Sequence, residues 1–101
     1  MTDFGYVLAT KMLVDGKRKV RFMYREEGED GDSGWRFFCG DESQAYADDP
    51  DNIEIYDVAT VLAIDESVAP YLGSAVGSAF EREDENSDFT AVEFGFSAEV
   101  G

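Results

Sequence analysis

A length of 101 residues with 44% hydrophobic and 14% aromatic residues is typical of a single folded domain, residues 1–101. The chain has no histidine and one cysteine, Cys39. This excludes an internal disulfide, a Ser–His or Cys–His nucleophile, and zinc sites built from histidines or several thiolates. A single cysteine fits a reducing compartment. We therefore expect a cytoplasmic protein without a signal peptide, membrane span, metal or cofactor.

The negative charge is concentrated in the C-terminal two-thirds of the chain. Residues 1–36 contain seven acidic and seven basic residues. Residues 37–101 contain sixteen acidic residues and one basic residue, Arg82, so the whole net charge of −15 lies there. Such a field repels nucleic acid and anionic lipid and attracts basic surfaces. The expected partner is therefore a basic protein, not nucleic acid or a membrane.

The first third of the chain predicts a β-hairpin. Residues 6–14 (YVLATKMLV) form a mostly apolar run suited to a strand. The dipeptide Asp15-Gly16 favours a type I′ turn, because both turn positions need a positive φ. Residues 17–25 then alternate between apolar and polar, which predicts a second strand. Its expected buried face carries Val20, Phe22 and Tyr24.

Residues 26–34 read as a polar loop, with three glycines and five acids. Their spacing does not match an EF-hand, so a solvated loop is favoured over a calcium site. Residues 35–39 (WRFFC) predict a third strand, antiparallel to the second. Trp35, Phe37 and Cys39 share its core face, with Cys39 as a buried small hydrophobe. Phe38 on the opposite face indicates that this second face is also partly covered.

The polar residues 41–52 are compatible with one helical turn, which Asp49-Pro50 would end. Residues 53–56 predict a short strand. Asp57 can cap a following helix whose apolar positions are Val58, Val61 and Leu62, although its β-branched residues leave a strand as an alternative.

The remaining elements are shorter. Ser67 is a candidate cap for a second helix, with Pro70 in its first turn and Gly73 at its end. Residues 76–82 predict the last core strand, with Phe80 buried, and residues 83–101 form an acidic break followed by an apolar tail. Residues 89–100 would pair as an edge strand or remain loosely attached. The expected fold class is α+β: a small antiparallel meander sheet of three to five strands, with one or two short helices packed on one face.

A cluster of acidic residues around a tyrosine is the candidate partner-binding site. Its members are Asp41, Glu42, Tyr46, Asp48, Asp49 and Asp51. Any single carboxylate can simply keep the protein soluble, but crowded like charges weaken a fold and are relieved by a basic partner. Tyr46 is either an aromatic anchor of that interface or a core residue.

Two other readings of the charged residues are possible. Two carboxylates can act as acid and base in a hydrolase, but this needs a cleft and raised pKa values, so we expect no enzymatic activity. The basic residues of the first predicted hairpin, set against acidic residues elsewhere, would permit self-association as a homodimer.

Four segments resemble, in order and spacing, the DUF2185 family, also called the Imm33 immunity-protein family. They are VRFMYREE (20–27), DSGWRFFCGDES (32–43), DDPDNIEIYDVATVLAIDESVAPYL (48–72) and GSAFER (77–82). The similarity covers about residues 7–82 and leaves out residues 83–101. The matched positions that stand out are Asp32, Gly34, Trp35, Gly40, Asp41, Glu42, Asp51, Tyr56 and Phe80, which can hold the fold as well as bind a partner.

The resemblance implies a small bacterial α+β protein without known catalytic residues. Some members look like immunity proteins that are encoded beside polymorphic toxins and neutralise them by binding. The expected function is therefore a non-catalytic, acidic protein that binds and neutralises a cognate toxin. The alternative is a housekeeping binding or regulatory domain, homodimeric and without a toxin partner.

Overall fold

The computed structural model describes residues 5–28 and 31–92. Within these ranges the chain forms six strands and three short α-helices, joined in places by 3-10 turns. In chain order they are β1 (Tyr6–Thr10), α1 (Lys11–Asp15), β2 (Phe22–Arg25), β3 (Asp32–Phe38), α2 (Gln44–Asp48), β4 (Ile53–Asp57), α3 (Val58–Ile64), β5 (Ala79–Glu81) and β6 (Thr90–Ala91), with 3-10 helices at Pro50–Asn52 and Glu66–Tyr71.

The strands form one mixed sheet in the order β4-β1-β3-β2-β5-β6. The α+β class is confirmed, but the antiparallel meander of three to five strands is wrong. β1 and β3 are parallel, while the other neighbouring pairs are antiparallel. The reason is that β3, rather than β2, lies beside β1. The chain leaves β1 through α1, forms β2 two positions away in the sheet, and then returns as β3 between them.

The predicted hairpin at Asp15-Gly16 is wrong for a local reason. Thr10 ends β1 and caps α1, because its Oγ1 accepts a hydrogen bond from the Leu13 N–H at 3.2 Å. Gly16 has a helical φ of −87°, and the positive φ of 51° falls instead on Lys17. The apolar run 6–14 therefore changes from a strand to a helix in its middle.

The core lies between the helices and one face of the sheet. Trp35, Phe37 and Cys39 are fully buried there, as predicted. Leu13 of α1 and Val61 of α3 belong to the same cluster. The indole Nε1–H of Trp35 donates to the Leu72 carbonyl at 3.0 Å, which attaches the end of the second 3-10 helix to the sheet.

The predicted face of β2 is wrong. Met23 is the fully buried residue of this strand, and it lies opposite Phe37 in register. Val20 is buried as well, but it lies before β2, so the alternation of side chains between the two faces of the strand does not extend to it. Phe22 and Tyr24 lie on the second face, where their rings are 5.7 Å and 6.0 Å from that of Phe38. The predicted partial cover of Phe38 is thereby confirmed.

Several other predictions hold with shifted boundaries. The helical turn before Asp49-Pro50 is α2, and the short strand is β4. The helix after Asp57 is α3, so the strand alternative is wrong, although Asp57 makes no side-chain cap hydrogen bond. β3 begins at Asp32, inside the predicted loop 26–34, because Asp32 already pairs with Tyr6 of β1.

The last elements differ more from the prediction. Asp65, not Ser67, caps the second helix, which is of the 3-10 type, with Pro70 inside it. In β5 the buried residue is Ala79, while Phe80 is half-buried with its ring 4.8 Å from that of Tyr71. Thr90–Ala91 form the edge strand β6 beside the buried Phe89, and residues 93–101 of the predicted tail lie outside the described residues.

Candidate partner-binding surface

The six predicted residues occupy two different environments. Asp41, Glu42 and Tyr46 bond to other parts of the fold, whereas Asp48, Asp49 and Asp51 are exposed to solvent. The division does not follow chain order. Tyr46 and Asp48 both lie in α2, but the Tyr46 hydroxyl bonds to α1 whereas Asp48 is exposed to solvent.

Glu42 organises the turn that follows β3. Its Oε2 accepts hydrogen bonds from the Thr10 hydroxyl at 2.6 Å and the Cys39 N–H at 2.9 Å, and its Oε1 accepts from the Gly40 N–H at 2.9 Å. Burial opposes the charged form, but these donors outweigh it and hold the pKa of Glu42 below its ordinary value. The carboxylate is therefore committed to the fold.

Asp41 is partly neutralised within the chain. It forms an ion pair with Arg18, and its Oδ1 lies 3.7 Å from Nη1 of Arg21. These bases come from the segment between α1 and β2, which the sequence suggested as a basic surface. Because they face an acid of the same molecule, the basic and acidic regions are not separate poles at this point.

Tyr46 links α2 to α1. Its side chain is half-buried, and its hydroxyl accepts a hydrogen bond from the Met12 N–H at 3.0 Å. This N–H belongs to the first turn of α1, where backbone donors lack partners within the helix. The tyrosine thus stabilises a helix end and presents only part of its ring to solvent.

Asp48, Asp49 and Asp51 leave their charge facing solvent. Asp48 accepts a side-chain hydrogen bond from Gln44 at 3.0 Å, and Asp49 accepts one from the Asp51 N–H at 3.0 Å. The ion pairs found among residues 5–28 and 31–92 involve none of the three. They are therefore available to a basic partner.

The exposed charge continues into β4, which sequence reasoning did not include in the site. Residues 48–57, called the acidic segment below, contain five acidic residues and no basic one. Glu54 and Asp57 are exposed, and the nearest ion-pair contact is a 4.0 Å approach of Lys11 to Glu54. The available signal was compositional, because residues 51–57 (DNIEIYD) continue with three acids and no base.

Two acids of the segment 26–34, Glu26 and Asp32, serve the fold. Arg36, on the second face of the sheet, bonds through Nη2 to Asp32 at 2.9 Å and through Nε to Glu26 at 2.6 Å. The hydrogen bond from Arg36 lowers the pKa of Asp32. In the part of the chain that the structure describes, no group of three or more potential ligands could hold a metal ion.

Cys39 is fully buried, which confirms its predicted role as a small core residue. Burial raises the pKa of its thiol, so the reactive thiolate is disfavoured. The described carboxyls with a clear pKa shift, those of Asp32, Glu42 and Asp84, are all shifted downward. A general acid at neutral pH requires a shift in the opposite direction.

Comparison with known proteins identifies a family. None of the described helices is long and apolar enough to cross a membrane. A search of curated proteins and a search of solved structures each found no match. The family model of the Immunity protein Imm33 domain matches residues 7–93, which confirms the resemblance over residues 7–82 and extends it through β6. The chain therefore belongs to the Imm33 immunity protein domain family.

Proposed function

We propose that this chain is a non-catalytic immunity protein that neutralises a cognate toxin by binding a basic surface of it. Membership of the Imm33 family supports a toxin partner. The observation that carries the basic character of that partner is the acidic segment, with five exposed acids and no base over residues 48–57. The lowered pKa values of Asp32 and Glu42 fit structural roles for these two carboxyls rather than acid–base catalysis by them.

The six candidate residues have different roles. Asp48, Asp49 and Asp51 contact the toxin, because their charges face solvent. Glu42 and Tyr46 hold the turn and α2 in place through their bonds to Thr10 and Met12, while the charge of Asp41 is partly neutralised by the exposed ion pair with Arg18. Substitution in the first group changes association, whereas substitution in the second changes the stability of the surface that presents it.

The mechanism is electrostatic steering followed by occlusion. A surface of one sign raises the rate of encounter with a surface of the opposite sign by roughly 10- to 1,000-fold, and salt reduces this gain. Inhibition then requires only that the bound chain covers the basic site of the toxin. No catalytic residue, metal or cofactor is needed, and the complex forms in the cytoplasm of the producing cell.

The immunity proposal requires a toxin domain encoded beside the gene for this chain, and the test uses that domain. Growth is measured when the toxin is expressed alone and with this chain, and the association rate of the purified pair is measured at low and high salt. One variant carries Asp48→Lys, Asp49→Asn and Asp51→Lys; asparagine retains the oxygen that accepts the Asp51 N–H. Its matched control carries Glu83→Lys, Glu85→Gln and Asp88→Lys, at exposed acids outside the acidic segment.

We expect rescue of growth by the wild-type chain, and association that slows at least tenfold at high salt and in the first variant but much less in the control. Equal effects of the two variants would show that only total charge matters. Failure to bind, together with a stable dimer of the free chain in sedimentation, would favour the homodimeric regulatory domain instead.

A further inference from the structure

Among residues 5–28 and 31–92, β4 forms one edge of the sheet. It pairs with β1 on one side, and it stands at the end of the strand order. The Tyr6 N–H donates to Gly31 on the β3 side, at 2.7 Å. Because peptide groups alternate along a strand, Val7 and Ala9 point toward β4 and bond to Tyr56 and Glu54, their register partners.

The same alternation fixes the open side of β4. If Glu54 and Tyr56 point at β1, then the N–H and C=O of Ile55 point away from the sheet. The Ile53 N–H already donates to the Pro50 carbonyl, and Asp57 is the N-cap residue directly before α3. The centre of the edge thus offers one donor and one acceptor with the spacing that an added strand uses.

The side chain at this position is unusual for an exposed edge. Ile55 is 59% exposed, on the same face as its register partner Leu8 and away from the main core. Natural proteins commonly protect an open edge with lysine, proline or a bulge. β4 has none of these, and its only protection is negative charge.

The charge selects what can lie along this edge. Glu54 and Asp57 flank Ile55, and Asp49 and Asp51 lie in the turn just before the strand. A second copy of this chain would bring two acidic segments together, and like charges directly opposite each other are destabilising. An extended segment with lysines or arginines would gain both backbone hydrogen bonds and opposite charges.

We propose that β4 is the docking edge for an extended basic segment of the partner protein, which adds to the sheet as a seventh strand beside Ile55. The proposal rests on the proposed function only for the identity of the partner. The backbone of Ile55 supplies the central hydrogen bonds, its side chain supplies apolar contact, and the acidic segment sets the preference for a basic strand.

The test is a titration of the ¹⁵N-labelled chain with a capped peptide of alternating lysine and valine. A glutamate–valine peptide of equal length is the negative control. Amide chemical shifts locate the peptide, and hydrogen exchange reports protection of the Ile55 N–H. Sedimentation of the free chain measures self-association under the same conditions.

Two pairs of variants test whether the peptide binds at the β4 edge or is only attracted to acidic residues in general. Ile55→Pro removes the outward donor without removing a bond to β1, and proline is tolerated at such a position. Val76→Pro is its control, because Val76 precedes Gly77 in a turn closed by the Ser78 N–H to Ala75 bond, where proline fits. Ile55→Lys and Val76→Lys add the same charge at similar exposures of 59% and 55%.

We expect the lysine peptide to shift the amides of Glu54, Ile55 and Tyr56 and to slow exchange of the Ile55 N–H. Ile55→Pro and Ile55→Lys should weaken binding by about tenfold or more, a loss of about 1.4 kcal/mol, while both Val76 variants bind as the wild type. Shifts spread evenly over all exposed acids, unchanged affinity in the Ile55 variants, or an Ile55 amide already protected in a dimer would overturn the proposal.

The result is independent of the toxin experiment. If the peptide binds along β4 but the toxin is not bound, the proposed immunity function is wrong and the proposed docking edge is supported. If the toxin is neutralised but neither it nor the peptide protects the Ile55 amide, the docking edge fails and the immunity function stands.

Discussion

At the scale of single residues, Arg82, the one basic residue among residues 37–101, has a structural role. Arg82 Nη2 lies 2.7 Å from Asp65 Oδ2, and both side chains are 5% exposed. Arg82 Nε also donates to the Val20 carbonyl, while Asp65 Oδ2 accepts from the Val20 N–H. The pair therefore ties the second 3-10 helix and β5 to the segment that leads into β2. An isolated base among sixteen acids was a signal of such a role.

Arg82→Met should destabilise the protein by about 3–5 kcal/mol, because it leaves the buried Asp65 carboxylate without its ion-pair partner. Urea unfolding followed by circular dichroism measures the change. Arg18→Met is the control, since it breaks the exposed ion pair with Asp41 and should change stability little. Equal losses in the two variants would contradict the structural role of the buried pair.

At the scale of elements, the connection from β1 to β2 shows where local patterns mislead. The Asp15-Gly16 dipeptide favours a tight turn between paired strands, but Thr10 caps a helix first, and β1 pairs with β3 and β4. The positive φ then falls on Lys17, a residue without glycine's freedom. Side-chain pattern alone did not reveal this, because strand pairing is decided by residues far apart in the sequence.

Lys17→Gly should stabilise the protein by about 0.5–1 kcal/mol relative to Lys17→Ala. Both variants remove the charged side chain, but alanine retains the Cβ that disfavours a positive φ. Thermal unfolding of the two variants side by side gives the difference. A more stable alanine variant would mean that Lys17 does not hold this conformation in solution.

At the scale of the whole molecule, two electrostatic effects oppose each other as the pH falls. The net charge is −15 at pH 7 and the isoelectric point is about 4.1, so protonation first relieves repulsion among exposed acids. Glu42 and Asp32 act in the other direction. Their folded-state pKa values are lowered, so their stabilisation is complete above their ordinary values of 4.5 and 3.8 and is lost as the pH falls through the folded values.

The free energy of unfolding should therefore rise from pH 7 to a maximum at about pH 5 and fall steeply below about pH 4. Urea unfolding over pH 3–8 measures this curve. Glu42→Gln should flatten the acid limb, because glutamine does not titrate, and added salt should raise stability at pH 7 more than at pH 5. Stability that is constant from pH 7 to pH 5 would show that repulsion is negligible.

The sequence by itself left a helix and a strand open for residues 58–64, whereas it determined the α+β class, the core face of β3, the family and the acidic character of the chain. These follow from composition, from short-range periodicity and from motifs in fixed order, all of which a linear pattern records. Only the tertiary structure decided which acids serve the fold and which face solvent. Glu42 is distinguished from Asp48 by its contact with Thr10, thirty-two positions away, and Ile55 is exposed because β4 lies at an edge of the sheet. Such differences depend on strand order and long-range contacts, which local patterning does not encode.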